Sequence, residues 1–189
     1  GAAPRPERKP RRGAALPGLL AACLLVLLPA AARAGVTVTE SVGTVQVQAA
    51  GGSWQDIAHG RVLAAGESVR TGRSSRCVLV FDDGSKVELG PAATFTIEEA
   101  TQRSSLMNFS LGRMRAWVSK SLNRKFQVRT PTAVASVRGT EFGVDVREDG
   151  RTSVACYEGL LAVADPAGRE VLVEQGSRVT NVRSPIQRD

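Results

Sequence analysis

Histidine is almost absent from this 189-residue sequence, in which His59 is the only one. A single histidine excludes a metal site built on a histidine pair, and a serine–histidine–aspartate triad would depend on His59 alone. His59 lies in residues 56–60, which read as a loop, so the sequence predicts a surface or packing role for it. We therefore expect no catalytic residue, no metal and no cofactor in this protein.

Aromatic residues are also scarce, at 4% of the sequence. Proteins that hold single-stranded nucleic acid place a series of aromatic rings beside a basic groove. Only Trp117 and Phe126 accompany the one stretch with a local excess of basic residues, so nucleic acid is not expected as a partner. An anionic envelope polymer or an acidic partner protein suits that stretch better, and a solvated strand face is the other interpretation. The basic residues of this stretch are Arg113, Arg115, Lys120, Arg124, Lys125 and Arg129.

Cysteine is limited to three residues, Cys23, Cys77 and Cys156. Cys77 and Cys156 are too widely separated for a local metal motif. Both stand in strand-like runs, where an oxidising compartment would permit a disulfide that stabilises the fold by about 4 kcal/mol in the chain-entropy model. The sequence leaves two alternatives open, a Cys77–Cys156 disulfide and two separate buried thiols.

Residues 1–34 differ from the rest and have the layout of a secretory signal peptide. Five basic residues precede residue 15, an apolar run covers residues 16–30, and an Ala-x-Ala pattern then fits a cleavage site between Ala34 and Gly35. The apolar run is shorter than the ~20 residues that span a bilayer. We therefore expect export of the mature chain to the periplasm or beyond the cell.

Two alternatives to a cleaved signal peptide are open at the N-terminus. The first is an uncleaved membrane anchor. The second is lipidation, because residues 20–23 resemble a bacterial lipoprotein cleavage box and would place a lipid on Cys23. Strongly apolar residues 24–28 follow Cys23, however, where a mature lipoprotein normally turns polar.

The basic character of the sequence belongs mostly to this N-terminal segment. The whole sequence has 25 basic and 18 acidic residues, a formal net charge of +7. Residues 1–34 contain six of the basic residues and one of the acidic ones, so the rest of the chain has a net charge of only +2. Nucleic-acid binding thereby loses its main electrostatic support.

Long apolar stripes at helical spacing are missing from residues 35–182, whereas apolar and polar residues alternate in many short runs separated by glycine. The sequence predicts one all-β domain over residues 35–182 and a disordered tail over residues 183–189. Similar segments recur with a unit of about 65 residues, which favours a solenoid-like stack of β-hairpins. A two-sheet β-sandwich is the alternative.

Two hairpins are predicted with their register. If residues 82–84 form a three-residue loop with Gly84 in the left-handed conformation, Leu79 lies opposite Val87 and Cys77 opposite Leu89. A two-residue turn would place Leu79 across from a glutamate, so the apolar pattern selects the longer loop. The same loop at residues 148–150 pairs Val144 with Val154 and Phe142 with Cys156. Residues 82–85 lack the ligand pattern of a calcium loop, so a plain turn is predicted there.

Residues 126–146 contain the most distinctive part of the sequence. Alternation at residues 126–130 predicts a strand that ends at Pro131, because proline cannot donate to a strand ladder. A second apolar run leads into Arg138, Gly139 and Thr140, after which alternation resumes. We expect both breaks to be corners at which the chain steps from one layer to the next, with Arg138 bonded to carbonyl groups or a nearby acid and Thr140 capping the bend.

These residues resemble the FecR domain family. The resemblance extends over about residues 63–179 and is most specific at Thr130, Pro131, Arg138, Gly139, Thr140 and Phe142, with further matches such as Asp149-Gly150 and Glu158-Gly159. It implies an extracytoplasmic all-β module. In the named member of the family, that module belongs to a membrane-spanning regulator that passes an iron-siderophore signal to a sigma factor.

The sequence departs from that regulator plan. Residues 1–15 are too short and too rich in proline and arginine to hold a sigma factor, and we expect a free-standing exported FecR domain. The first hypothesis is a non-catalytic interaction or signal-sensing module that binds a protein partner in the envelope. The second is a module that binds an envelope polymer such as peptidoglycan or polysaccharide. The third, a sigma-factor regulator, requires the N-terminus to stay attached to the membrane.

Overall fold

The computed structural model describes residues 35–121, 123–180 and the backbone of residues 187–188, and its regular structure there is entirely β. The all-β prediction is therefore confirmed. Within these ranges, no helix is long and apolar enough to cross a membrane. The strands are β1 Val36–Val42, β2 Val45–Gln48, β3 Gln55–Asp56, β4 Val62–Leu63, β5 Ser68–Thr71, β6 Arg76–Phe81, β7 Lys86–Leu89, β8 Thr94–Ala100, β9 Ser104–Trp117, β10 Lys125–Arg129, β11 Val134–Val137, β12 Glu141–Val146, β13 Thr152–Glu158, β14 Leu160–Ala164, β15 Glu170–Glu174, β16 Arg178–Thr180 and β17 Gln187–Arg188.

Backbone pairing divides the strands into two groups, which we call sheet A and sheet B. Sheet A has the order β4, β1, β6, β7, β9, β12, β13, β16, β17, and all of its neighbours are antiparallel. Sheet B has the order β3, β2, β5, β8, β9, β10, β11, β14, β15. Its neighbours are also antiparallel except for β9 and β10, which run parallel.

The long strand β9 belongs to both sheets. It pairs with β8 and β10 in sheet B up to Leu111, and with β7 and β12 in sheet A from Gly112 onward. Gly112 has a φ of 96°, and a Cβ atom there would lie 2.6 Å from the Cα atom of Ala93. Only glycine fits this crossing, because any side chain would meet backbone in a conformation that L-residues avoid.

Buried side chains from both sheets form one hydrophobic core cluster. Strand alternation explains this, since most inward positions are apolar and most outward positions are polar. Phe81 of sheet A meets Phe126 of sheet B edge to face, with ring centroids 5.4 Å apart. The finer choice between a solenoid-like stack and a two-sheet sandwich stays a prediction.

Both predicted hairpin registers are confirmed. Leu79 pairs with Val87 and Cys77 with Leu89 between β6 and β7, and the corresponding pairs form between β12 and β13. Gly84 and Gly150 have φ values of 80° and 79°. Each loop is closed by a hydrogen bond from the glycine N–H to the carbonyl three residues earlier, which is the geometry of a three-residue hairpin loop.

The possible disulfide between Cys77 and Cys156 is not formed, and both residues are free, buried thiols. Their positions in sheet A give the reason. Cys77 lies in β6 and Cys156 in β13, with β7, β9 and β12 between them. Four inter-strand spacings amount to about 19 Å, whereas a disulfide needs Cα atoms within about 7 Å. Of the two alternatives left open by the sequence, the structure has the separate thiols.

The predicted signal peptide, its alternatives and Cys23 lie outside the described residues. Strand β17 falls within the stretch predicted as a disordered tail, and its backbone pairs with β16. The other residues of that stretch, 183–186 and 189, are outside the described ranges.

Candidate functional site

The turn around Thr130 and Pro131 joins β10 to β11 inside sheet B. The Thr130 hydroxyl accepts a hydrogen bond from the Ala133 N–H at 2.9 Å, and the Thr130 N–H donates to the Ala133 carbonyl at 2.8 Å. A second hydroxyl, that of the buried Thr152, donates to the Thr130 hydroxyl at 3.0 Å. This break is therefore a tight turn within one sheet, and the expectation that it is a corner between layers is wrong.

The break at residues 138–140 is a crossing between sheets, as expected, since β11 lies in sheet B and β12 in sheet A. Gly139 has a φ of 77°, and a Cβ atom there would lie 2.7 Å from the Cα atom of Lys120. The Thr140 hydroxyl donates to the Leu160 carbonyl at 2.9 Å and so ties this crossing to β14. Phe142 follows in the core and is fully buried. Four of the six signature residues, Thr130, Gly139, Thr140 and Phe142, thus have direct structural roles, and Pro131 occupies the β10–β11 turn.

Arg138 is the exception. Its side chain is exposed and, within the part of the chain that the structure describes, it makes no hydrogen bond or ion pair. The expected bond from Arg138 to a carbonyl group or an acid is therefore not found there. Because the Arg138 guanidinium bonds to no described residue, it is available to a ligand or partner.

The basic run predicted from the sequence does not form one surface. Arg113 and Arg115 lie on the outer face of sheet A, paired with Asp145 and Glu141. Arg129 lies in sheet B, 2.8 Å from Glu98. Arg124 is nearly buried and bonds to the Ser105 hydroxyl at 2.6 Å, so it is unavailable to any partner.

An apolar surface lies next to Arg138 on the outer face of sheet B. Leu160 and Leu172 are 48% and 52% exposed, although large apolar residues at outward strand positions are usually covered or replaced by polar ones. They line a cavity of about 640 Å³ with Lys125 and Arg138 at its rim. We call these four residues the Leu160–Leu172 patch.

The patch borders an edge strand. Strand β15 pairs with β14 alone among the described residues, so its other backbone edge has no strand partner there. An unpaired edge can accept a strand from another protein, and the side chains beside it then select the partner. Charges of both signs surround the apolar side chains of the patch. Lys125 and Arg138 line the cavity, whereas Glu174 lies opposite Leu160 and Glu170 precedes Leu172 by two positions on β15.

Catalytic chemistry has little support in the described residues. His59 is exposed in a turn, and no group of three or more metal-ligating side chains is found there. Burial, with a smaller contribution from Glu40, raises the pKa of the Cys77 thiol to about 12, and burial also raises the pKa of Cys156. Thiols held in the protonated form are poor nucleophiles.

Fold and signature together define the class of protein: an all-β module whose strands step between two sheets at glycine positions. A family model described as "FecR protein" matches residues 67–162. The chain belongs to the FecR protein family, and the matched stretch lies inside the one that the sequence motifs indicated.

The fold also resembles solved structures. Two crystal structures, at 2.50 and 1.65 Å resolution, of a Parabacteroides distasonis protein provisionally named an anti-sigma factor each align with a TM-score of 0.58 and 21% sequence identity. The alignment covers 65% of this chain and 58% of theirs, so the chain corresponds to a little over half the length of those proteins. Among curated proteins, no sequence matches this chain.

Proposed function

We propose that this FecR domain is a non-catalytic signal-sensing module of the bacterial envelope, which acts by binding a protein partner. Membership of the FecR family supports a regulatory role, and the name given to the structurally similar Parabacteroides distasonis protein points the same way. The observation that carries the proposal is the Leu160–Leu172 patch beside the edge of β15, which has no strand partner among the described residues. The occupant we expect is a strand of a partner protein with apolar side chains and an acidic residue for Arg138 or Lys125.

Site-specific crosslinking tests this binding mode. A photoreactive residue at position 172 should capture one specific envelope protein in living cells. The matched control is position 62, because Val62 is also an apolar residue on a short strand and is 62% exposed. With the captured partner purified, Leu172→Glu should weaken binding at least tenfold, whereas Val62→Glu should leave it unchanged. Equal capture at both positions, or unchanged affinity in Leu172→Glu, would exclude the patch as the binding surface.

We further propose that residues 1–34 direct export and are removed between Ala34 and Gly35. The surroundings of Gly35 support this boundary, because Gly35 is buried and its backbone nitrogen donates to the Asp82 carboxylate at 2.6 Å. After cleavage the same nitrogen would be an ammonium group, which a carboxylate binds more strongly than an amide. Mass spectrometry of the protein from the envelope should give a chain that begins at Gly35. A retained or lipidated N-terminus would instead favour a membrane-tethered regulator.

A further inference from the structure

A second cavity, of about 560 Å³, lies on the outer face of sheet A over β9, β12, β13 and β16. Its size falls in the range of small-molecule sites. The floor consists of three small residues at neighbouring outward positions, namely Gly143, Ala155 opposite it, and Ser153. None of the three has a side chain longer than a hydroxymethyl group, and the ring of Tyr157 covers Gly143.

Arginine residues dominate the rim of this cavity, which we call the arginine cavity. Arg147 and Arg178 are exposed, and their side chains make no hydrogen bond or ion pair with any described residue. The Arg113 side chain is 82% exposed and paired with Asp145, which is the one acidic residue among the described residues that line the cavity. Arg151 completes the set and pairs with Asp149 outside it. The described lining therefore has a net positive charge, and two of its guanidinium groups have no partner among the described residues.

Tyr157 forms one wall. Its ring lies so close to the floor that a Cβ atom on Gly143 would be 2.8 Å from the phenol oxygen. The Arg115 guanidinium stands 4.7 Å from the ring centroid and holds the ring in place, while 44% of Tyr157 stays exposed. Within the described chain the phenol oxygen has no hydrogen-bond partner, so it is another group facing the cavity that a ligand can use.

We propose that the arginine cavity binds a carboxylate-bearing saccharide, such as a uronic acid unit of an acidic glycan. Guanidinium groups bind carboxylates with two parallel hydrogen bonds. Tyr157 and Ser153 supply hydroxyl groups that suit the many hydroxyls of a sugar. A protein partner would normally insert a large apolar anchor, and a hollow floored by glycine, serine and alanine offers no apolar pocket for one. This site is on the opposite sheet from the Leu160–Leu172 patch and does not depend on the function proposed for that patch.

Titration calorimetry with the purified protein tests the proposal, with trimannuronate as the acidic probe, neutral mannotriose as its counterpart and triaspartate as an acidic peptide. Trimannuronate alone should bind. The double variant Arg147→Gln/Arg178→Gln should lower its affinity at least tenfold. The matched control is Arg73→Gln, which removes an exposed arginine of the β5–β6 turn that has no partner among the described residues, and it should leave trimannuronate binding unchanged.

Four results would overturn the proposal. Trimannuronate could fail to bind, or bind the double variant as well as the native protein, or be equally weakened by Arg73→Gln. Triaspartate binding as tight as that of trimannuronate would also overturn it, because charge alone would then explain the interaction. Since Arg147 and Arg178 are exposed, both variants should fold, and their unfolding temperatures verify this.

Discussion

At the residue scale, Gly139 has a structural role within the family signature. Its backbone is left-handed, and a Cβ atom at this position would press against the Lys120 Cα atom as well as the Lys120 side chain. A rotamer change at Lys120 can move the side chain but cannot relieve a contact with its own backbone. The Arg-Gly-Thr motif therefore requires glycine for two independent reasons, conformation and space.

The variant Gly139→Ala should lower the free energy of unfolding by about 3 kcal/mol, from left-handed strain and overpacking together. Gly176→Ala separates the two causes, because Gly176 has a φ of 80° with nothing within 4 Å of its Cβ position. That control should lose only about 1 kcal/mol. Urea unfolding measures both values, and equal losses would show that the contact with Lys120 is unimportant.

Asp165 provides a pH-dependent contribution at the same scale. Burial alone would raise the pKa of Asp165, but hydrogen bonds from the Arg169 N–H and guanidinium, together with its charge, hold the pKa below the ordinary value. A lowered carboxyl pKa stabilises the fold at neutral pH, and this contribution is lost as the pH falls below about 4.

We expect Asp165→Asn to lower the unfolding temperature at pH 7 and to have a much smaller effect at pH 3. Since Asp165 and Arg169 act as a pair, the double variant Asp165→Asn/Arg169→Met should lose little more than Asp165→Asn alone. Thermal unfolding between pH 3 and pH 7 gives both comparisons. A constant difference across this range would mean that ionisation of Asp165 does not stabilise the fold.

At the scale of elements, Arg124 connects strands that are distant in sequence. It lies just before β10, donates to Ser105 in β9 and stands 3.3 Å from Asp83 in the β6–β7 loop. The Arg124 and Asp83 side chains are only 8% and 16% exposed. Removing one partner of such a pair leaves the other carrying an uncompensated charge away from water.

The variant Arg124→Met should therefore lower the free energy of unfolding by about 3 kcal/mol. Arg129→Met is the matched control, because Arg129 forms an exposed ion pair with Glu98 and should lose less than about 1 kcal/mol. Chemical denaturation compares the two variants. If both lose the same amount, burial of the Arg124 pair does not contribute.

The register of a hairpin can be predicted from the sequence, because its turn and its two strands are contiguous. The alternation around Gly84 and Gly150 is local, so it determines register. The first half of β9 was not predicted, because the residues that lead into it, 98–105, are mostly polar. Inward positions at Ser105, Met107 and Phe109 carry the strand signal, but a buried serine weakens it.

Partners from distant strands were not predictable. The parallel pairing of β9 with β10 depends on the fold as a whole, and nothing in the two segments specifies it. The arginine cavity was missed for a similar reason. Its residues Arg113, Arg147 and Arg178 belong to three separate strand regions, and only sheet A brings them together. A basic run is visible in a sequence, whereas a basic site assembled across strands is not.

At the scale of the whole molecule, β9 connects the halves of the domain. It pairs with β7 and β8 from the first half and with β10 and β12 from the second, over one shared core. Neither half can lose its structure without exposing the inward side chains of β9. Cooperative unfolding of the described domain follows.

The two tryptophans make this testable. Trp54 lies near Arg70 in the first half, and Trp117 lies at the end of β9. In Trp54→Phe the fluorescence reports on Trp117, and in Trp117→Phe it reports on Trp54. In each variant, the fluorescence signal should follow the same denaturation curve as the backbone circular dichroism of that variant. Separate fluorescence and backbone midpoints in either variant would show that the halves unfold independently.

The pairing of distant strands also determines the order in which the strands can fold. Strand β1 has its main partner in β6, where Thr39 donates to the carbonyl of Val78, 39 positions later in the chain. Strand β9 pairs with β12, where Arg113 bonds to Asp145, 32 positions later. Domains dominated by such contacts fold in milliseconds to seconds, far more slowly than helical ones. For a chain that leaves the cell as we propose, the delay keeps the leading strands extended and able to thread through a translocation channel until their partners have followed.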